Sequence, residues 1–316
     1  MINALGNYIG YGEGLRPIIT QGDATLVDIT GSNYAYIVAT FITGSTPGNQ
    51  SFGSFRLPTQ KQVQYLVVAG GGGGGFYGGG GGGGGYCTGS ALIPANVTVT
   101  MLAGRGGIGA GANTIPADPT GEDGFNSILQ GSFTNETTAS LTTITAIGGG
   151  GGGFIGLGTG SFNDPVGGSG GGAGANNGNT SVSSSAIVGQ GSPGGKAFAT
   201  AGNATYGGGG GGGATGVGTD GTGGAAPGNG GPGIESTITG TLLSFSGGGG
   251  GGAATTAGIP QTVGTANAIG RGSAGGGTSA DSTGGGGGVG TGEFSRGSGG
   301  SGVIYVLFNK TKTSLY

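Results

Sequence analysis

Six uninterrupted glycine runs constrain the fold of this chain: Gly70–Gly75, Gly78–Gly85, Gly148–Gly153, Gly207–Gly213, Gly247–Gly252 and Gly284–Gly288. Glycine loses more backbone freedom on folding than any other residue and brings no side chain to a core. A chain with 94 glycines in 316 residues is therefore either disordered or uses the missing side chain as a packing device. Disordered segments are typically highly charged or rich in Ser, Glu and Lys. Here charged residues make up 7% and hydrophobic residues 33%, the latter gathered in short β-branched and aromatic stretches. The runs abut those stretches directly instead of alternating with Ser as a flexible linker does. Composition thus favours a folded chain. Collagen is excluded, because it needs glycine at every third position and abundant proline, whereas these glycines come in blocks with only 11 prolines.

Residues 1–23 hold turn signals (Gly10, Gly12, Gly14, Pro17) and read as an arm or attachment segment. From Ala24 the pattern is β. Strands are predicted over Ala24–Ile29, Tyr34–Thr43, Ser51–Leu57, Gln62–Ala69, Val97–Leu102, Ser127–Gln130, Leu141–Ile147, Thr180–Val188, Thr237–Ser246 and Val303–Phe308. No window sustains an i, i+3, i+4, i+7 pattern, so essentially no α-helix is expected. One domain spans 24–309, followed by a tail, 310–316. Three predicted strands, ending at Ala69, Ile147 and Ser246, run straight into glycines. The near-continuous apolar run Val303–Phe308 predicts a buried partner for Tyr65–Ala69, pairing the first and last core strands.

A folded glycine run has one extended option that leaves its amides and carbonyls free, the polyproline-II conformation with about three residues per turn. Without Cβ atoms, several such helices approach closely and satisfy one another's backbone groups laterally. Interior positions then tolerate only glycine, while edge positions take Ala, Ser, Thr or Asn, as in Gly167–Ala175 and Gly216–Gly231. The expectation is an all-β fold: a sandwich-like strand framework with a bundle of polyglycine-II helices and long glycine-rich loops. The competing reading drapes the glycines as loops on a β-sandwich.

The chemistry of catalysis is thinly represented. There is no histidine, which removes Ser-His-Asp and Cys-His catalysis and most transition-metal sites. The P-loop pattern fails, since Gly195-Lys196 is followed by Ala197 and Gln190 stands where the first glycine belongs. Gly216–Gly221 resembles part of one calcium nonapeptide, a motif that needs tandem copies. Glu122-Asp123 offers two acids in a glycine-flanked loop that could hold an ion, but a plain exposed turn is the better reading. A carboxylate pair for glycoside hydrolysis could come from any two of twelve acids, and nothing brings two together. Cys87 reads as a small buried hydrophobe. The expectation is no enzyme, no cofactor and no metal. A net charge of −3 with nine dispersed Lys and Arg gives no stripe for nucleic acid, and no apolar stretch reaches the ~18 residues of a membrane span. The N-terminal residues lack the pattern of a signal peptide, which predicts synthesis in a cytoplasm and release by lysis.

Aromatic and polar residues cluster between glycines: Phe76 and Tyr77; Phe154 with Phe162, Asn163 and Asp164; Phe198 with Asn203 and Tyr206; and Gln261. Exposed aromatics beside Asn or Asp suit stacking on sugar rings with hydroxyls bonded at the edge, which makes these the candidate surface-recognition residues. The alternative is that they cap the ends of the bundle or fill its core.

Tyr65–Gly70 followed by glycines resembles the opening of the glycine-rich domains in bacteriophage tail-fibre and related virion proteins. Leu92–Met101 followed by Gly104–Gly109 is similar to that family's next strand and loop, Ile144–Gly153 to its second junction, and Gly299–Phe308 to its closing strand. The resemblance spans about residues 24–309. It implies a virion protein whose glycine helices are a scaffold and whose intervening loops bind a host surface glycan or outer-membrane protein. It also implies contacts to other virion proteins through the N-terminal arm, and a homo-oligomer. A purely structural subunit of a fibre, or a capsid decoration protein, is the alternative; a polysaccharide depolymerase is a remote one.

Overall fold

The computed structural model describes residues 16–40, 50–76, 78–110, 120–134, 140–154, 167–174, 184–199, 205–223, 226–255, 260–263, 285–287 and 297–310. Among these residues there is no helix, and the fold is all-β. The framework is a ten-stranded antiparallel sheet. Its strands are β1 (Ile18–Gly22), β2 (Thr25–Asp28), β3 (Tyr34–Thr40), β4 (Gln50–Arg56), β5 (Lys61–Val68), β6 (Tyr86–Ile93), β7 (Thr98–Gly104), β8 (Ser127–Thr134), β9 (Ser140–Ala146) and β16 (Val303–Asn309). The order is β1-β4-β7-β8-β6-β5-β16-β3-β2, with β9 also on β8.

The sheet folds over on itself, so that β3 and β16 face β4, β7 and β8 without pairing with them. Between these halves lies the main core, with Ile37, Phe55, Val67, Val99, Met101, Ile304, Val306 and Phe308 among its buried side chains. The predicted pairing of β16 with β5 is present, antiparallel, from Val303 opposite Val68 to Phe308 opposite Val63. On its other side β16 pairs with β3. The outer face of β5 and β16 is covered by a hairpin of β12 (Ile234–Ser236) and β13 (Leu243–Phe245), which packs Phe245 and Ile238 on Leu66, Val68, Val303 and Tyr305. Both faces of β16 are therefore buried, and that is why its sequence is nearly all apolar. In β5 the change is visible along one strand. Val63 alternates with exposed Gln62 and Gln64, and burial becomes continuous from Tyr65.

Several expectations shift. β1 lies inside the predicted arm and pairs with β4. Lys310, in the predicted tail, donates its N–H to Asn33 O and brings its ammonium 3.6 Å from Asp28. Among the described residues of Thr180–Val188, only Ala186 is bridged, to Gly167. Of the stretch Thr237–Ser246 only β13, Leu243–Phe245, is strand, and it is preceded by a turn with Gly240 at φ +85. β6 carries no strong strand signal. It contains Gly89, where a Cβ would sit 2.6 Å from the Tyr65 hydroxyl directly across the ladder, so the small residue makes room for a large one. Cys87 is half-buried against the core, its thiol pushed up by desolvation and its Sγ 3.5 Å from Thr145 O.

The glycine runs form the second layer. In all six, the described residues are buried, and their bonds follow a period of three. Gly70 and Gly73 donate to Phe125 and Glu122, Gly71 and Gly74 to Gly300 and Gly297, Gly72 and Gly75 to Gly82 and Gly79. The run Gly78–Gly85 lies at the centre. Its N–H groups reach the carbonyls of three segments: Gly79, Gly82 and Gly85 reach Gly153, Gly150 and Ile147; Gly80 and Gly83 reach Gly209 and Gly212; Gly81 reaches Gly287. Its carbonyls accept from three others, at Gly72 and Gly75, at Ser169 and Gly172, and at Gly249 and Gly252. Six segments thus surround one, and nearly every buried backbone group described along it finds a partner.

Candidate recognition end of the glycine lattice

Several runs stand on the framework at one end and turn at the other. Gly70 follows β5, Gly85 precedes β6, Gly148 follows β9 and Gly302 precedes β16. At the far end Gly75 donates to Gly79 across the Phe76 turn, Ala110 to Gly74, and Gly252 to Gly78. A small sheet closes this end, in the order β10 (Phe198–Ala199), β11 (Thr205–Gly207), β14 (Gly252–Thr255), β15 (Pro260–Val263).

The candidate residues separate here. Phe76 and Phe154 are half-buried and stack at 6.2 Å between ring centroids with planes 21° apart. They come from different runs, 78 residues apart in sequence, so the lattice brings them together. Phe198 is half-buried on β10 with its ring against Gly223. Tyr206 is only 5% exposed and packs with Ala173, Ala197 and Ala199. It therefore fills a small core at this end and offers no docking surface. Gln261 lies in β15. Tyr77, Phe162, Asn163, Asp164 and Asn203 fall outside the described residues.

The acids of the Glu122-Asp123 loop have a structural task that their sequence did not reveal. Gly148 and Gly151 lie three residues apart and donate to Asn126 Oδ1 (2.9 Å) and Asp123 Oδ1 (2.7 Å), themselves three apart. The two side chains stand where the carbonyls of another run would stand. Glu122 accepts from Ile108 N–H and from Arg105, whose guanidinium lies 4.9 Å from the centre of the Phe125 ring. Gln190 does the same at the framework end, accepting from Ile147 N–H and donating to Thr145 O. Among the described residues no group of three or more Cys, Asp or Glu is placed to hold a metal. Asp123→Ala strands a buried amide and is expected to cost about 1–3 kcal/mol, with Asp123→Asn recovering most of it; urea unfolding of the two variants measures the difference.

The glycine-rich domain family model matches residues 45–309, and the chain belongs to that family. Among curated proteins, no sequence matches it.

Proposed function

We propose that this chain is a non-enzymatic virion protein of a bacteriophage, in which polyglycine-II helices form a rigid pedestal and the far end recognises the host surface. The period of three in the bonding, and the six segments around Gly78–Gly85, support the helices. The observation that carries the recognition reading is the gathering of Phe76, Phe154 and Phe198 at the end of the lattice remote from the framework. Half-exposed rings on a rigid base lose little side-chain entropy when a partner stacks on them. The partner would be a surface glycan or an outer-membrane protein, with attachment to the particle at the opposite, framework end.

Burial of Tyr206 and the mutual stacking of Phe76 and Phe154 favour a second reading, in which these rings cap the lattice of a fibre subunit or decoration protein. One experiment separates the two: purified protein is added to host cells, with Phe76→Ala/Phe154→Ala beside the parent. Recognition predicts saturable binding that blocks infection, at least tenfold weaker in the variant with an unchanged melt. A variant that melts lower, in a protein that never binds cells, overturns it in favour of capping.

A further inference from the structure

β16 is the last strand among the described residues, yet it occupies an interior position in both layers. In the sheet it separates β3 from β5, which do not pair with each other. Its side chains serve two cores, Ile304, Val306 and Phe308 on one face and Val303 and Tyr305 on the other. The glycines leading into it are equally enclosed. Gly297 and Gly300 accept from Gly74 and Gly71, Gly299 donates to Gly107, and Gly302 donates to Gly104. Gly297–Asn309 is thus one continuous insert that completes the lattice and the framework together. Until it arrives, β3 and β5 present two facing rows of unpaired backbone groups above an open core.

That slot is shaped for this segment whichever copy supplies it. We infer that this chain assembles with second copies of itself by reciprocal exchange of Gly297–Asn309. An exchanged pair keeps every contact that the segment makes in the closed form, so the choice between the two is set by protein concentration against closure of the connector. Gly287 and Gly297 are neighbours in the closed form, since a Cβ on Gly287 would sit 2.8 Å from the carbonyl carbon of Ser298. The nine residues between them can extend to about 30 Å, enough to reach across to an adjacent copy. Exchange is favoured where many copies complete their folding side by side, and it gives interlocked assemblies. The inference is independent of what the far end recognises.

The test uses the full chain carrying Tyr34→Cys and Asn309→Cys with Cys87→Ala. Tyr34 and Asn309 are directly opposite across the β3–β16 ladder, where antiparallel Cα spacings of about 4.5–5.5 Å suit a disulfide. The protein is unfolded, refolded across a concentration series and oxidised. Exchange predicts a species that grows with refolding concentration, survives dilution and runs at doubled mass on a non-reducing gel. Monomer at every concentration, or a dimer whose chains are each cross-linked internally, overturns it. Should the variant not refold, the unsubstituted chain decides. Heavy- and light-isotope copies must form mixed dimers when refolded together and none when mixed already folded; mixed dimers from folded copies, or none in either case, overturn the inference.

Discussion

Gly81→Val and Gly210→Val are expected to abolish the cooperative thermal transition of this protein. A Cβ on Gly81 falls 2.6 Å from the carbonyl carbon of Gly72 and 2.9 Å from the Gly73 oxygen; on Gly210 it overlaps the carbonyl of Asn229 and lies 2.9 Å from Gly230 N. The obstacles are backbone atoms, each bonded to a further segment, so relief at one position displaces a second and a third. Propensity alone would cost about 1 kcal/mol, and overpacking an adaptable side-chain core about 1–3 kcal/mol; this lattice has no side chains to rearrange. Gly31→Ala is the control. Gly31 has φ +72 with nothing within 4 Å of a Cβ, so only the left-handed strain of about 1–2 kcal/mol applies. Calorimetry of the three variants gives the ranking, and a Gly81→Val protein that melts like its parent shows the runs are not close-packed.

Phe308→Ala is expected to cost about 3–5 kcal/mol, the range for emptying a buried aromatic site. Phe308 is 2% exposed and pairs across Ala35 on one side and Val63 on the other. The small Ala35 has no reach to refill the space, which places the cost towards the upper end. Leu242→Ala on the turn of the covering hairpin is expected to stay within about 0.5 kcal/mol, because that side chain is 61% exposed. Denaturant midpoints of the pair measure the contrast, and equal midpoints would show that β16 does not hold the two halves of the sheet together.

Strands whose apolar residues meet a core were legible from the chain alone. β3, β4, β5, β7 and β16 begin and end within a few residues of their predicted bounds, since β-branched and aromatic side chains buried on a pleated surface leave a local pattern. β6 left none, because its place comes from β5 alongside it and its Gly89 answers a tyrosine 24 residues earlier. The recognition residues divide similarly. Sequence marked Phe76, Phe154 and Tyr206 alike as aromatics between glycines, whereas only packing put the first two side by side and the third in a core. Asp123 and Asn126 carried no signal for their role, which exists only because Gly151 and Gly148 lie beside them.

By itself the sequence pointed to a folded, weakly charged β protein whose strands issue directly into glycine runs, and it left open whether those runs pack together or drape as loops. The tertiary structure decided which run lies beside which. A glycine has no side chain by which to specify a neighbour, so one run is locally like another. Order in the lattice is imposed from its ends, by the strands that adjoin its runs, such as β5 before Gly70, β6 after Gly85 and β9 before Gly148, and by the few side chains at its rim that stand in for a missing carbonyl.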